Sequence, residues 1–262
     1  MKSPFLPAFL LCALALPCAA QQADQKPAET TPNAAAQSKY SENNLRALAA
    51  VGAFYEKLRT APTYQGDIRA TKTTKNGKTV SKKQLDVTSY IVGDGDGHVA
   101  KEIETIVYDA TTGEGENASS DLAAFEIVND GQLAHRTSIT KRVWSEEPWD
   151  KQETMVPLTM ATIAMSFTAQ AIDQGAQFEN PVLQDHDTLR LLNSTSGNVK
   201  MVYEVHLGLL RSIEFTSDEE TTRIEWNDIR LDRPIDSKYF VWHQRENYKQ
   251  VSPEESKVNV VF

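Results

Sequence analysis

Ser41 is followed by Leu45, Leu48, Val51, Gly52, Tyr55 and Leu58 at three- and four-residue spacing, with Arg59 and then Pro62 beyond. A capping hydroxyl, one apolar stripe and a closing proline predict an amphipathic helix over 41–59. From Thr63 the period falls to two. Tyr64, Ile68 and Ala70 alternate with polar residues up to Asn76-Gly77, a dipeptide suited to a tight hairpin turn. Leu85, Val87, Ser89 and Ile91 share one face of the return strand. After the turn at Gly93–Gly97, Val99, Ile103, Thr105 and Val107 are expected to alternate along a third strand. A further hairpin turns at Asn129-Asp130-Gly131, with Phe125 and Ile127 before it and Leu133, Thr137, Ile139 and Val143 after it.

Alternation then stops. Pro157 to Ile172 has a proline start, a Gly175 stop and few polar residues on any face, which predicts a second helix, apolar all round. Met155, Met160 and Met165 gather in this stretch. Such a helix is either buried core or an adaptable wall for a variable apolar ligand, because unbranched thioethers repack around different shapes. Strand patterns resume at Thr188–Leu192, Met201–Leu207, Leu209–Phe215 and Thr222–Arg230, with a last strand expected near Tyr239–His243. A helix, many antiparallel strands, an apolar helix and more strands predict an α+β fold: one strongly curved sheet with helices on its concave side. No repeat or second domain interrupts residues 41–262, which are read as one domain.

The N-terminal text changes the picture of where the protein works. Lys2, an apolar run from Phe5 to Leu16 and Cys18-Ala19-Ala20 before Gln21 make residues 1–20 a secretory signal peptide, too short for a membrane span. Pro17 stands where a lipid-anchoring site at Cys18 needs a small residue, so cleavage without a lipid anchor is expected, with anchoring at Cys18 as the alternative. Residues 21–40 are mostly Gln, Ala, Pro, Thr and Lys with almost no large apolar side chain, and are expected to form a flexible tether. The only cysteines, Cys12 and Cys18, fall in the signal segment, which excludes a cysteine nucleophile and cysteine-bound zinc from the exported chain. A formal charge of −9 argues against a general nucleic-acid binder, which needs a basic face.

Three stretches carry a likeness to a known family: Leu45 to Tyr64, the hairpin text Ile127-Val128-Asn129-Asp130-Gly131-Gln132-Leu133, and Leu209 to Phe240, which includes Ile224-Glu225-Trp226-Asn227-Asp228-Ile229 and Pro234-Ile235-Asp236. Together they resemble the periplasmic lipoprotein-carrier superfamily of the LolA and LolB type. The resemblance implies an unclosed antiparallel half β-barrel with helices as a lid over an apolar cavity. It also implies a periplasmic carrier of lipid or lipoprotein acyl chains, with an envelope protein as a possible partner. Two positions depart from the family pattern. Ile91 to His98 lacks the arginine-proline pair that latches the lid, and Ala134-His135-Arg136 replaces the aromatic residues after the central turn. The expected role is therefore put more broadly, as binding of a lipid-like ligand by a monomer without a cofactor.

The residues expected to line the apolar cavity are Leu48, Val51 and Tyr55 on the first helix and Leu158, Met160, Ile163, Met165 and Phe167 on the second. Ile68, Leu85, Val87, Ile103, Ile139, Val205, Ile213 and Trp226 complete the lining from the strands. Each would serve equally in a closed core, since both use the same alternation. Catalysis has little support: the chain has no Gly-x-Ser-x-Gly elbow and no His-Glu-x-x-His motif. Asp94, Asp96 and His98, or Asp185, His186 and Asp187, read as polar turns rather than metal sites, because calcium-loop spacing is missing. Trp144 and Trp149, with the acidic runs 145–147 and 217–220, leave open an alternative: an envelope sensor or interaction module using the same half-barrel without transport.

Overall fold

The computed structural model describes residues 41–76, 79–112, 119–149, 154–173, 175–178, 182–185, 188–194, 200–206 and 209–256. The predicted signal segment and tether, 1–40, lie outside them. Helix α1 spans Glu42–Thr60; the Ser41 hydroxyl accepts from the Asn44 amide at 3.2 Å, and Lys57 and Arg59 sit in the last turn, complementing the helix dipole. Its buried face is Asn44, Ala47, Val51, Phe54 and Leu58. The expected stripe is therefore rotated: Leu45 is 53% exposed, while Leu48 and Tyr55 flank the buried face. The cause is Asn44, which a hydrophobicity pattern does not count but which tertiary hydrogen bonds bury.

Among the described residues twelve strands form one sheet: β1 (Thr63–Asn76), β2 (Thr79–Gly93), β3 (Val99–Thr112), β4 (Ser119–Asn129), β5 (Leu133–Ser138), β6 (Val143–Pro148), β7 (Val182–Asp185), β8 (Thr188–Ser194), β9 (Lys200–His206), β10 (Leu209–Thr216), β11 (Glu220–Leu231) and β12 (Lys249–Gln250). The spatial order is β12-β6-β5-β4-β3-β2-β1-β11-β10-β9-β8-β7, with two separate ends, so the sheet is not closed into a barrel. Every pairing is antiparallel except β12 on β6. The predicted α+β class and unclosed half-barrel hold. At the central hairpin, Asp130 accepts from the Gln132 and Leu133 amides at 2.8 and 2.9 Å, and these bonds hold its carboxyl below the usual range.

Helix α2 (Val156–Asp173) lies between β6 and β7 in the chain. Its Thr159, Thr162 and Thr168 hydroxyls each donate to a carbonyl one turn back, so the few polar side chains spend themselves on their own helix. Gly175, at φ 90°, ends it, with Gly175 N bonded to Ile172 O and Ala176 N to Ala171 O. α2 runs antiparallel to α1. At one end Asn44 Nδ2 donates to Ala176 O and Asn44 Oδ1 accepts from Phe178 N, both at 3.0 Å. At the other, Leu158 and Arg59 crowd Gly97, where a Cβ would meet Leu158 Cδ2 at 2.5 Å.

The expected strand near Tyr239–His243 is not one. Asp236 caps a 3-10 turn over Ser237–Phe240, and the chain then crosses the outer face of the sheet. Tyr239 stacks on Tyr90, Trp242 stacks on His135 at 4.4 Å and donates to Thr137 Oγ1, and Arg245 pairs with Glu126 at 2.8 Å. β12 follows along the β6 edge, and the short helix α3 (Pro253–Ser256) brings the Ser256 hydroxyl within 2.7 Å of Ser145 Oγ. Ser145 belongs to the inner face by register with Arg136, so the tail passes from one face round the edge to the other.

Candidate functional site

Phe54 of α1 meets Trp226 of β11 edge to face, with centroids 5.4 Å apart, and this contact marks the inner face of the sheet. Register then assigns every neighbour. Trp226 lies opposite Ile68, Ile68 opposite Val87, Val87 opposite Ile106 and Ile106 opposite Phe125. One row along, Ile224, Ala70, Leu85, Tyr108 and Ala123 continue the apolar surface. Leu210 and Ile213 both reach this side because a bulge between Leu210 and Ser212 adds a residue to β10.

Of the residues expected to line a cavity, Val51, Ile68, Leu85, Val87, Leu158, Met160, Val205, Ile213 and Trp226 are buried in one continuous cluster. Leu48, Tyr55, Ile163, Met165 and Phe167 are half-buried against it. Two expectations are corrected. Ile103 lies on the outer face, opposite Tyr90 and Val128, and Ile139 falls in the turn between β5 and β6. The reason at Ile103 is a register shift between Val92 and Gly93 that leaves Ala100 unpaired. The alternation begun at Val99 is thereby inverted, and Glu102, Glu104, Ile106 and Tyr108 take the inner side.

The inversion creates a feature that sequence reading missed. Toward the β2–β3 and β4–β5 turns the inner face becomes polar, in two rows: Tyr64, Ile91, Glu102 and Asn129, then Gly66, Ser89, Glu104 and Ile127. Glu102 and Glu104 are 4% and 1% exposed. Ser89 Oγ donates to Glu104 Oε1 at 2.8 Å. The Tyr64 hydroxyl lies over Gly66, 2.8 Å from where a Cβ would stand, so only glycine leaves it room. Burial pushes the Tyr64 phenol well above its ordinary range, and the nearby Glu104 and Asp67 charges add to that. Asn129 Oδ1 accepts from Gly131 N at 2.7 Å. Asn129 Nδ2, the Tyr64 hydroxyl and Trp226 Nε1 are buried with no hydrogen-bond partner among the described residues. Ser89 was the one signal in the sequence: a polar residue at an inward position of an otherwise apolar strand face.

The other candidates resolve as structure. Asp94 turns its carboxylate inward on its own loop, accepting from Asp96 N at 2.7 Å, His98 N at 3.1 Å and the His98 imidazole at 2.9 Å. Burial works against its charge, but these bonds prevail and hold its carboxyl below the usual range. His186 and Asp187 lie outside the described residues, among which no group of three potential ligands could hold a metal ion. Trp144 and Trp149 form no exposed aromatic edge. Trp144 is buried against Trp242, and Trp149 Nε1 donates to Val99 O at 3.0 Å. No described helix is long and apolar enough to cross a membrane.

No family model and no curated protein matches the chain. Solved structures similar to it include LprF from Mycobacterium bovis, 11% identical, covering 73% of this chain and 95% of that one with a TM-score of 0.36. An uncharacterized conserved protein from Thermus thermophilus is 8% identical over 79% of this chain and 99% of its own, with a TM-score of 0.33. A LolA superfamily protein from Nitrosomonas europaea is 10% identical over 75% of this chain and 97% of its own, with a TM-score of 0.24.

Proposed function

We propose that this chain is an exported, non-catalytic binding protein that holds a lipid-like ligand, an acyl chain or the acyl part of a lipoprotein, between the inner sheet face and α2, and carries it within the periplasm. The observation that carries the reading is α2. Leu158, Met160, Ala161 and Ala164 are buried, Ile163, Met165 and Phe167 beside them are apolar and half-buried, and no charged residue precedes Asp173. A helix that merely covers a core needs one apolar stripe and gains from charge on the rest. Each methylene withdrawn from water contributes about 0.8 kcal/mol, so half an acyl chain against such a surface binds usefully without a specific polar contact. Export is supported by the composition of residues 1–20.

The test is native mass spectrometry of the mature chain purified from the periplasm, followed by solvent extraction and lipid identification. A co-purifying acyl-chain species that competing lipid displaces is the expected result. A clean chain that also fails to bind uncharged fluorescent lipid probes defeats the reading.

A further inference from the structure

The inner face is apolar along most of its length and polar at one end, and that division has no purpose in a plain core. Tyr64 and Asn129 are 1% and 0% exposed, yet the phenol hydroxyl and the amide Nδ2 find no acceptor among the described residues. A buried donor without an acceptor costs stability, and such groups in a native fold call for a reason. Both belong to the polar rows, in register with Glu102 and Glu104. The apolar rows through Val87 and Leu85 begin immediately beside them, along the same strands.

We infer that the polar rows receive the head of the amphiphile proposed above, and that they select an uncharged head with hydrogen-bond acceptors, an acyl ester or amide, over a free carboxylate. The inference rests on that carrier reading and adds the class and orientation of the ligand. A carbonyl oxygen accepts from the Tyr64 hydroxyl or from Asn129 Nδ2 and satisfies what the protein leaves open. A carboxylate in the same place joins the buried carboxyl groups of Glu102 and Glu104, so that either like charges repel in a medium of low dielectric or one group must be neutralised, a cost an uncharged head does not meet; Arg136, next in the row beyond Ile127, is already paired with Glu147 at 2.8 Å. The Tyr64 phenol stays protonated and remains a donor, because burial and the Glu104 charge both oppose its ionisation. Gly66 leaves room for the hydroxyl by offering no side chain to displace it. With the head there, the acyl chain runs along Val87, Ile106 and Phe125 toward the far end of the inner face.

The experiment uses the mature chain, an uncharged naphthylamine probe, and two competitors of equal chain length, monooleoylglycerol and oleate, at a pH where oleate is ionised. Monooleoylglycerol is expected to displace the probe at ~10-fold lower concentration, the worth of about one hydrogen bond to a buried group. Tyr64→Phe is expected to remove most of that advantage without lowering the melting temperature, since the hydroxyl it deletes has no partner among the described residues. Glu104→Gln is expected to tighten oleate and leave the ester unchanged; should that variant fail to fold, Tyr64→Phe decides alone. Equal ranking of the two competitors on the parent chain, or a Tyr64→Phe variant that leaves the ranking intact, overturns the inference while the carrier reading stands. Failure of the probe and of both competitors to bind defeats the carrier reading, and this inference with it.

Discussion

The two helices are built on opposite plans. α1 presents Glu42, Arg46, Glu56 and Arg59 to water, where Arg46 pairs with Glu42 and Arg59 with Glu56, and buries a single face. α2 has no acidic residue in its first turn, no basic residue in its last, and three threonine hydroxyls turned back on its own carbonyls. Both helices keep half-buried apolar side chains beside the buried face, Leu48 and Tyr55 on α1 and Ile163, Met165 and Phe167 on α2, but the remaining surface of α1 is charged whereas α2 has no charged residue before Asp173. Under the proposed function, the difference separates a helix that holds the fold from a helix that serves a ligand.

That division is open to direct attack. Phe54→Ala in α1 removes the edge contact with Trp226 at the fully buried centre and is expected to cost about 3–5 kcal/mol by chemical denaturation; a loss under about 1 kcal/mol would mean that α1 does not hold the fold. Asn44→Ala cuts both bonds that fasten the end of α2 to the start of α1, at an expected cost of about 2 kcal/mol. Hydrogen exchange in the last turns of α2 should accelerate more than in β1 and β2, and a uniform rise would break the comparison. Met165→Ala combined with Phe167→Ala should lower stability by only about 1–2 kcal/mol, because both side chains are half-buried. Probe binding should weaken by ~10-fold or more in the same double variant; losses of similar size in both would make these residues ordinary core. Arg46→Ala, on the charged side of α1, should leave both the unfolding midpoint and binding unchanged, as exposed ion pairs contribute little.

What could be read from the text alone follows a physical boundary. Both helices and the inward sets Tyr64, Ile68, Ala70 and Leu85, Val87, Ser89, Ile91 are written in local periodicity, and the structure keeps them. Glu102 and Glu104 were hidden because one unpaired residue, Ala100, reverses the phase of β3, and a bulge leaves no mark in hydrophobicity. Asn44 was hidden because its partners, Ala176 and Phe178, lie 132 and 134 residues away. The C-terminal tail looked like a strand because Tyr239, Phe240, Val241 and Trp242 are strand-forming residues. Their actual partners, Tyr90, His135 and Trp144, are side chains on the outer face rather than another backbone.

The course of the tail also sets a timetable. β1 is the first strand made, yet one of its two neighbours is β11, with Tyr64 facing Leu231, and the β6 edge is covered only when Lys249 and Gln250 arrive. Until then β1 and β6 each present an unpaired backbone edge, the kind of surface on which chains aggregate. A chain delivered N-terminus first therefore remains unfinished until Lys249 and Gln250 have emerged. Under the proposed function the inner face is assembled only after delivery is complete, so a ligand cannot be taken up on the way.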